Sequence, residues 1–81
     1  MFLLWLFEAH THFQRTWFQG VVQFYLPAKG YGYIRIPDTR EEFYVHRKDL
    51  RAPIRTGQTV IFSIAETRHG LQAIEVRPAE P

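Results

Sequence analysis

From Gly20 to Val76 turn residues cut the chain into five short runs of β-forming side chains, with no helical period among them. GVVQFYL (20–26) ends at Pro27-Ala28-Lys29-Gly30, and YGYIRI (31–36) ends at Pro37-Asp38-Thr39-Arg40. FYVH (43–46) is followed by a connection from Arg47 to Arg55. Thr56-Gly57 then leads into QTVIFSIA (58–65), Arg68-His69-Gly70 makes the next turn, and LQAIEV (71–76) closes the series. Pro78 and Pro81 are expected to end regular structure.

Five short strands are too few for a sandwich, and an open sheet of that size would leave its edges bare. Closure removes those edges, so the pattern predicts an all-β chain: a five-stranded antiparallel barrel of the OB type behind an apolar N-terminal extension. The total of 81 residues admits one domain. Expected boundaries are an arm over 1–16, the barrel over 17–77 and a tail over 78–81. Cysteine is absent, which excludes disulfide staples, thiolate metal sites and a cysteine nucleophile. That accords with a reducing compartment such as the cytoplasm.

Aromatic residues make up 16% of the chain, as seven Phe, four Tyr and two Trp, more large rings than so small a core buries easily. Alternation says where some of them go. If Ile34, Ile36, Phe43 and Val45 point into the barrel, then Tyr31, Tyr33, Tyr44 and His46 point outward. Outward flat rings suit unpaired bases, because every nucleobase has a π-face. Lys29, Arg35, Arg47, Lys48, Arg51 and Arg55 place cations around those strands to meet phosphates. The formal net charge is only +2, so local placement has to carry the electrostatics. The competing reading of the same tyrosines is ordinary cross-strand packing on a half-exposed sheet.

At these residues the chain resembles the cold-shock domain family. KGYGYI (29–34) is similar to the family's first ribonucleoprotein motif, with Tyr in both places where Phe is usual, and FYVH (43–46) is similar to its second. The likeness extends to G-x-V at Gly20, G-Q-x-V at Gly57 and G-x-Q-A-x-x-V at Gly70, in matching order from Trp17 to Arg77. The resemblance implies an OB-type barrel that binds single-stranded RNA or DNA with low sequence specificity. It places base-stacking roles on Phe24, Tyr31, Tyr33, Tyr44 and His46, and a phosphate contact on Lys29. Phe24 stands where the family usually has Trp, yet strict alternation would set it on the same side as Val22. Gly30 and Gly32 are expected where backbone or base approaches closely. Gln23 matches a position where the family often has Lys.

Several features depart from the family pattern. Arg47 follows the motif's His where a ring is common, and its guanidinium can both stack and meet phosphate. The stretch from Leu50 to Gly57 is short and without an aromatic residue, offering Arg51, Ile54 and Arg55 instead. The candidate interface is therefore Phe24, Lys29, Tyr31, Tyr33, Tyr44, His46, Arg47 and Arg55, in a nucleic-acid chaperone or cold-shock-type regulator.

No enzyme, cofactor or metal is expected. His10 and His12 form an H-x-H pair without further ligands. Glu41-Glu42 reads as a solvated turn, and Ser63 lies mid-strand without a nucleophile elbow. The arm, MFLLWLFEAHTHFQRT, opens on an apolar run broken at once by Glu8, His10 and His12. It falls short of the roughly 20 apolar residues a spanning helix needs. It also shows neither the basic start nor the small-residue cleavage site of a secretory signal. As a helix it would put Leu3, Leu6, Phe7, His10 and Phe13 near one face. That stripe can cap the barrel or join two copies through Phe2 to Phe13 as a homodimer; a membrane surface is the least supported outcome. The rival function is accordingly a protein-interaction or self-associating scaffold acting through the arm. An OB domain of the translation apparatus that binds structured RNA is a third reading.

Overall fold

β-Branched and aromatic side chains at alternating positions form the five strands, and Gly and Pro end them. The computed structural model describes residues 16–68 and 70–79. The expectations attached to Met1–Arg15, including the helix, the cap and the dimer, lie outside the described residues. So do His10, His12 and His69. Strand β1 runs over Phe18–Leu26, β2 over Tyr31–Arg35, β3 over Glu42–His46, β4 over Thr59–Thr67 and β5 over Gly70–Pro78. A single 3₁₀ turn, Arg47–Asp49, follows β3. Among the described residues no helix is long and apolar enough to cross a membrane.

The sheet closes on itself in the order β1-β2-β3-β5-β4. β1 joins the ring at both ends, its first half pairing with β4 from Phe18↔Phe62 and its second with β2 as far as Leu26↔Tyr31. One feature corrects the antiparallel expectation: β3 and β5 pair in parallel at Tyr44↔Gln72, extended by a Leu50↔Val76 bridge. The reason is geometric. Strand directions cannot alternate all the way round a ring with an odd number of members, so one pair must be parallel. Local alternation carries no trace of that constraint.

Strand ends also move. β1 begins at Phe18 rather than Gly20 because β4 supplies a partner there, and β4 runs on to Thr67 opposite Gly70. Pro78 is itself paired, opposite Val60, as the last residue of β5. It sits where the ladder ends and its missing N–H costs little. Ile36 leaves β2, its N–H donating to the carbonyl of Glu41 across the turn.

Val22, Ile34, Val45, Val60, Phe62 and Val76 fill the barrel, all fully buried. Each contributes about 1.5–3 kcal/mol by leaving water. Phe62 is the centre of this packing, with ring centroids 5.8 Å from Phe43 and 6.0 Å from Phe18. Ile54, one of the residues the short connection offers in place of a ring, is buried in this core. Ser63 is buried too, its hydroxyl donating to the carbonyl of Thr16 at 3.1 Å.

Two bulges let so few strands close. In β5, Glu75 and Val76 together oppose Phe62, and Glu75 takes a left-handed φ of 52°. Arg51 grips its carboxylate with two hydrogen bonds of 2.8 Å, and Arg77 lies 3.7 Å away. In β1 the register slips between Val22 and Phe24. This second bulge builds the site.

Candidate nucleic-acid interface

The β2–β3 ladder sets Tyr33 opposite Tyr44 and Tyr31 opposite His46, while Ile34 opposes Phe43 and Gly32 opposes Val45. Because cross-strand partners share a face, all four polar-edged rings stand outside and all the aliphatic side chains stand inside. On β1, Val22 pairs with buried Ile34, but Phe24 pairs with Tyr33. Gln23 is the extra residue of the bulge, and its insertion flips the alternation beyond it. Phe24 therefore leaves the side of Val22 and joins the tyrosines.

Four rings from three strands then touch one another. Tyr31 and Tyr44 are near parallel, 22° apart with centroids at 6.0 Å. Phe24 stands edge-on to Tyr31 at 6.2 Å and tilted against Tyr33 at 5.7 Å. Tyr33 meets Tyr44 edge-on at 5.8 Å, closing the set. Each ring is half-buried, held at its edges by neighbours with its outer surface open to solvent. Such mutual edge contacts preorganise the surface, since few rotamers remain to be lost when something lies on it.

Gly32 makes the close approach of β1 possible. A Cβ there would fall on the carbonyl oxygen of Phe24 and 2.8 Å from the Cα of Tyr25. The close neighbour at Gly32 is thus protein backbone. Gly30 has a φ of 77° and faces the Arg47 guanidinium, with Nη2, Cζ and Nε all where a Cβ would go. Arg47 Nη2 donates to the carbonyl of Pro27 at 3.3 Å, and the Arg47 backbone N–H donates to the carbonyl of Gly30 at 2.9 Å. The end of β3 is in this way latched onto the β1–β2 turn, and Arg47 lies over that turn.

His46 caps the 3₁₀ turn, its Nδ1 accepting from the Lys48 backbone N–H at 3.0 Å. An accepting Nδ1 leaves the ring proton on Nε2, a donor directed away from the cap. Lys29 is exposed in the β1–β2 turn, and Arg55 is exposed in the connection before β4. That connection runs beside the bulge, with Thr56 Oγ1 accepting from the Tyr25 N–H and the Gly57 N–H donating to the Val22 carbonyl.

The other basic residues are placed differently. Arg51 is occupied by Glu75, and the hydrogen bond to that carboxylate, then its charge, hold the guanidinium pKa above its usual value, with Asp49 adding to the effect. Arg35 stands opposite Glu42 in the β2–β3 ladder. Sequence reasoning missed Leu26, which lies on the ring-bearing side opposite Tyr31. Its signal was present but slight: it follows Phe24 by two residues, the spacing of a shared face.

A small closed barrel that gathers aromatic rings onto one face, with Lys29 and Arg47 at the adjoining β1–β2 turn, is the architecture of a nucleic-acid-binding OB domain. The family model of the 'Cold-shock' DNA-binding domain matches residues 18–79, and the chain belongs to the cold-shock domain family, whose members bind nucleic acid. A cold shock-like protein of Aquifex aeolicus (strain VF5) is 34% identical over 64 residues, a match covering 74% of this chain and 91% of that protein. Among solved structures, Drosophila Unr CSD456 superposes with a TM-score of 0.68 at 19% identity, over 93% of this chain. The chain spans 30% of that structure's length, and the likeness bears on the fold alone.

Proposed function

We propose that this chain holds short stretches of single-stranded RNA or DNA by stacking unpaired bases on Phe24, Tyr31, Tyr33 and Tyr44. In this reading His46 extends the stack and offers Nε2–H, while Lys29, Arg47 and Arg55 neutralise phosphates. By trapping unpaired bases the protein opposes secondary structure, as a nucleic-acid chaperone or cold-shock-type regulator does, with little base preference. No covalent chemistry and no cofactor are involved. A cytoplasmic setting accords with the absence of cysteine.

The observation that carries the proposal is the closed circuit of four ring contacts on one face. A sheet that only needed solubility would hold Thr, Lys or Glu at these outward positions, and the bulge that helps close the barrel also turns Phe24 toward the tyrosines. Tyr33→Ala and Tyr44→Ala should each weaken binding of a labelled single strand by about 1–3 kcal/mol, measured by fluorescence anisotropy. Thermal melting should fall only modestly, because neither ring is in the core. A folded double variant with parental affinity would refute the stacking surface. Equal affinity for duplex and single strand would instead favour structured RNA as the ligand.

A further inference from the structure

Strand pairing sets a second apolar face on the side of the barrel built by β4 and β5. Val60 and Phe62 are buried in the core, and their partners Gly20 and Phe18 share the inside with them. Ile64 also turns inward, opposite buried Ala73. Ile61, Ser63 and Ala65 alternate with these and stand outside, with Arg77 opposite Ile61 and Ile74 opposite Ser63. Trp17 joins this outer face. It is 45% exposed, and the Arg77 guanidinium lies over its ring, 5.3 Å from the centroid.

Ser63 breaks the pattern of the face. It points outward yet is only 3% exposed, and its hydroxyl donates to the Thr16 carbonyl at 3.1 Å. An outward side chain in mid-strand is buried only where other chain lies across it, and Thr16 shows which chain arrives there. The edge of the sheet leads to the same place. β1 stops pairing with β4 at Phe18↔Phe62, whereas β5 continues along β4 through Glu66↔Leu71. On the β1 side, residues 64–66 of β4 are an edge that no described strand covers, and Thr16 stands at its start. Proteins cover such an edge, the more so beside an apolar face.

The chain that precedes Thr16 has the side chains for that task, with FLLWLF over 2–7 and a further ring at Phe13. Residues 1–15 reach up to about 50 Å when extended, far more than the edge they would have to follow. Tethering also holds them at a local concentration in the millimolar range, above that of a second copy in dilute solution. We propose that the outer face of β4 and β5, from Trp17 and Ser63 to Ile74 and the 64–66 edge, is the docking surface for residues 1–15 of the same chain. This side of the barrel is separate from the face of Tyr31, Tyr33 and Tyr44, so the inference stands apart from the single-strand reading.

Trp5 and Trp17 are the two tryptophans of the chain. Trp5→Phe keeps a ring in the segment and leaves Trp17 as the sole fluorophore, a reporter built into the docking face. In that full-length background, Leu3→Asp with Leu6→Asp should shift Trp17 emission to the red and raise its quenching by acrylamide severalfold. Ile74→Asp, on the face itself, should do the same, and the two changes together should add nothing further, because either one removes the same contact. Should Ile74→Asp fail to fold, Ala65→Asp, outward on the same strand pair, takes its place. The parent's quenching should be the same at every protein concentration, with a monomer in sedimentation. Quenching unchanged by the Leu3 and Leu6 substitutions overturns the docking, and a response to them but not to the face variants overturns its location. Quenching that falls as protein concentration rises, together with a dimer in sedimentation, makes a second copy the occupant and overturns the assignment to the same chain.

Discussion

Replacing Arg47 tests how stacking and charge divide the work of the site. Its guanidinium lies over Gly30 and makes one hydrogen bond, to the Pro27 carbonyl at 3.3 Å. An exposed bond of that length is worth about 0.5 kcal/mol, and the backbone latch from the Arg47 N–H to Gly30 survives any substitution except proline. Arg47→Phe and Arg47→Ala should therefore fold. If Lys29, Arg47 and Arg55 each neutralise one phosphate, log affinity should fall against log salt with a slope of about −2.1. Removing Arg47 leaves about −1.4. Over a fourfold rise in salt the parent should then weaken by about 18-fold and either variant by about sevenfold. Near physiological salt the two variants should part: Arg47→Phe regains a ring worth about 1–3 kcal/mol per stacked base and holds or improves on parental affinity. Arg47→Ala loses both contributions and binds worst. Anisotropy titrations of one short oligonucleotide across a salt series measure all of this. If both variants match the parent in affinity and slope, Arg47 does not touch the ligand, and its place over the turn is purely structural.

Other substitutions address the scaffold and the remaining charges. Arg51→Ala should leave the salt slope unchanged, because Glu75 already holds that guanidinium; a slope shallower by about 0.7 would show that Arg51 swings out to a phosphate. Gly32→Ala should destabilise the fold by about 1–3 kcal/mol, since its Cβ would meet the backbone of Phe24 and Tyr25, which cannot yield as a side chain would. A urea midpoint equal to the parent's would contradict that packing. Phe62→Ala, at the fully buried centre of the core, should cost about 3–5 kcal/mol. That is much of the stability a domain of this size has, so the cooperative thermal transition should be lost or fall far below the parent's; a shift of only a few degrees would mean the core is organised around other residues.

What can be read from the chain alone is what depends on neighbours in sequence. Alternation in YGYIRI and FYVH already separates Tyr31, Tyr33 and Tyr44 from Ile34, Phe43 and Val45, because a pleated backbone sends successive side chains to opposite faces. Turn residues likewise mark where strands stop, to within two residues. Tertiary structure decides everything that depends on which strands meet. The parallel β3–β5 pair follows from closing an odd-membered ring. The burial of Ile54 and the capture of Arg51 by Glu75 follow from where the connection after β3 lands. Phe24 shows the division most clearly. Local periodicity assigns it to the inside with Val22, and only the slip of β1 against β2 at Gln23 turns it out toward the tyrosines. A bulge is selected by the curvature the whole barrel must achieve, and no short stretch of sequence contains that requirement.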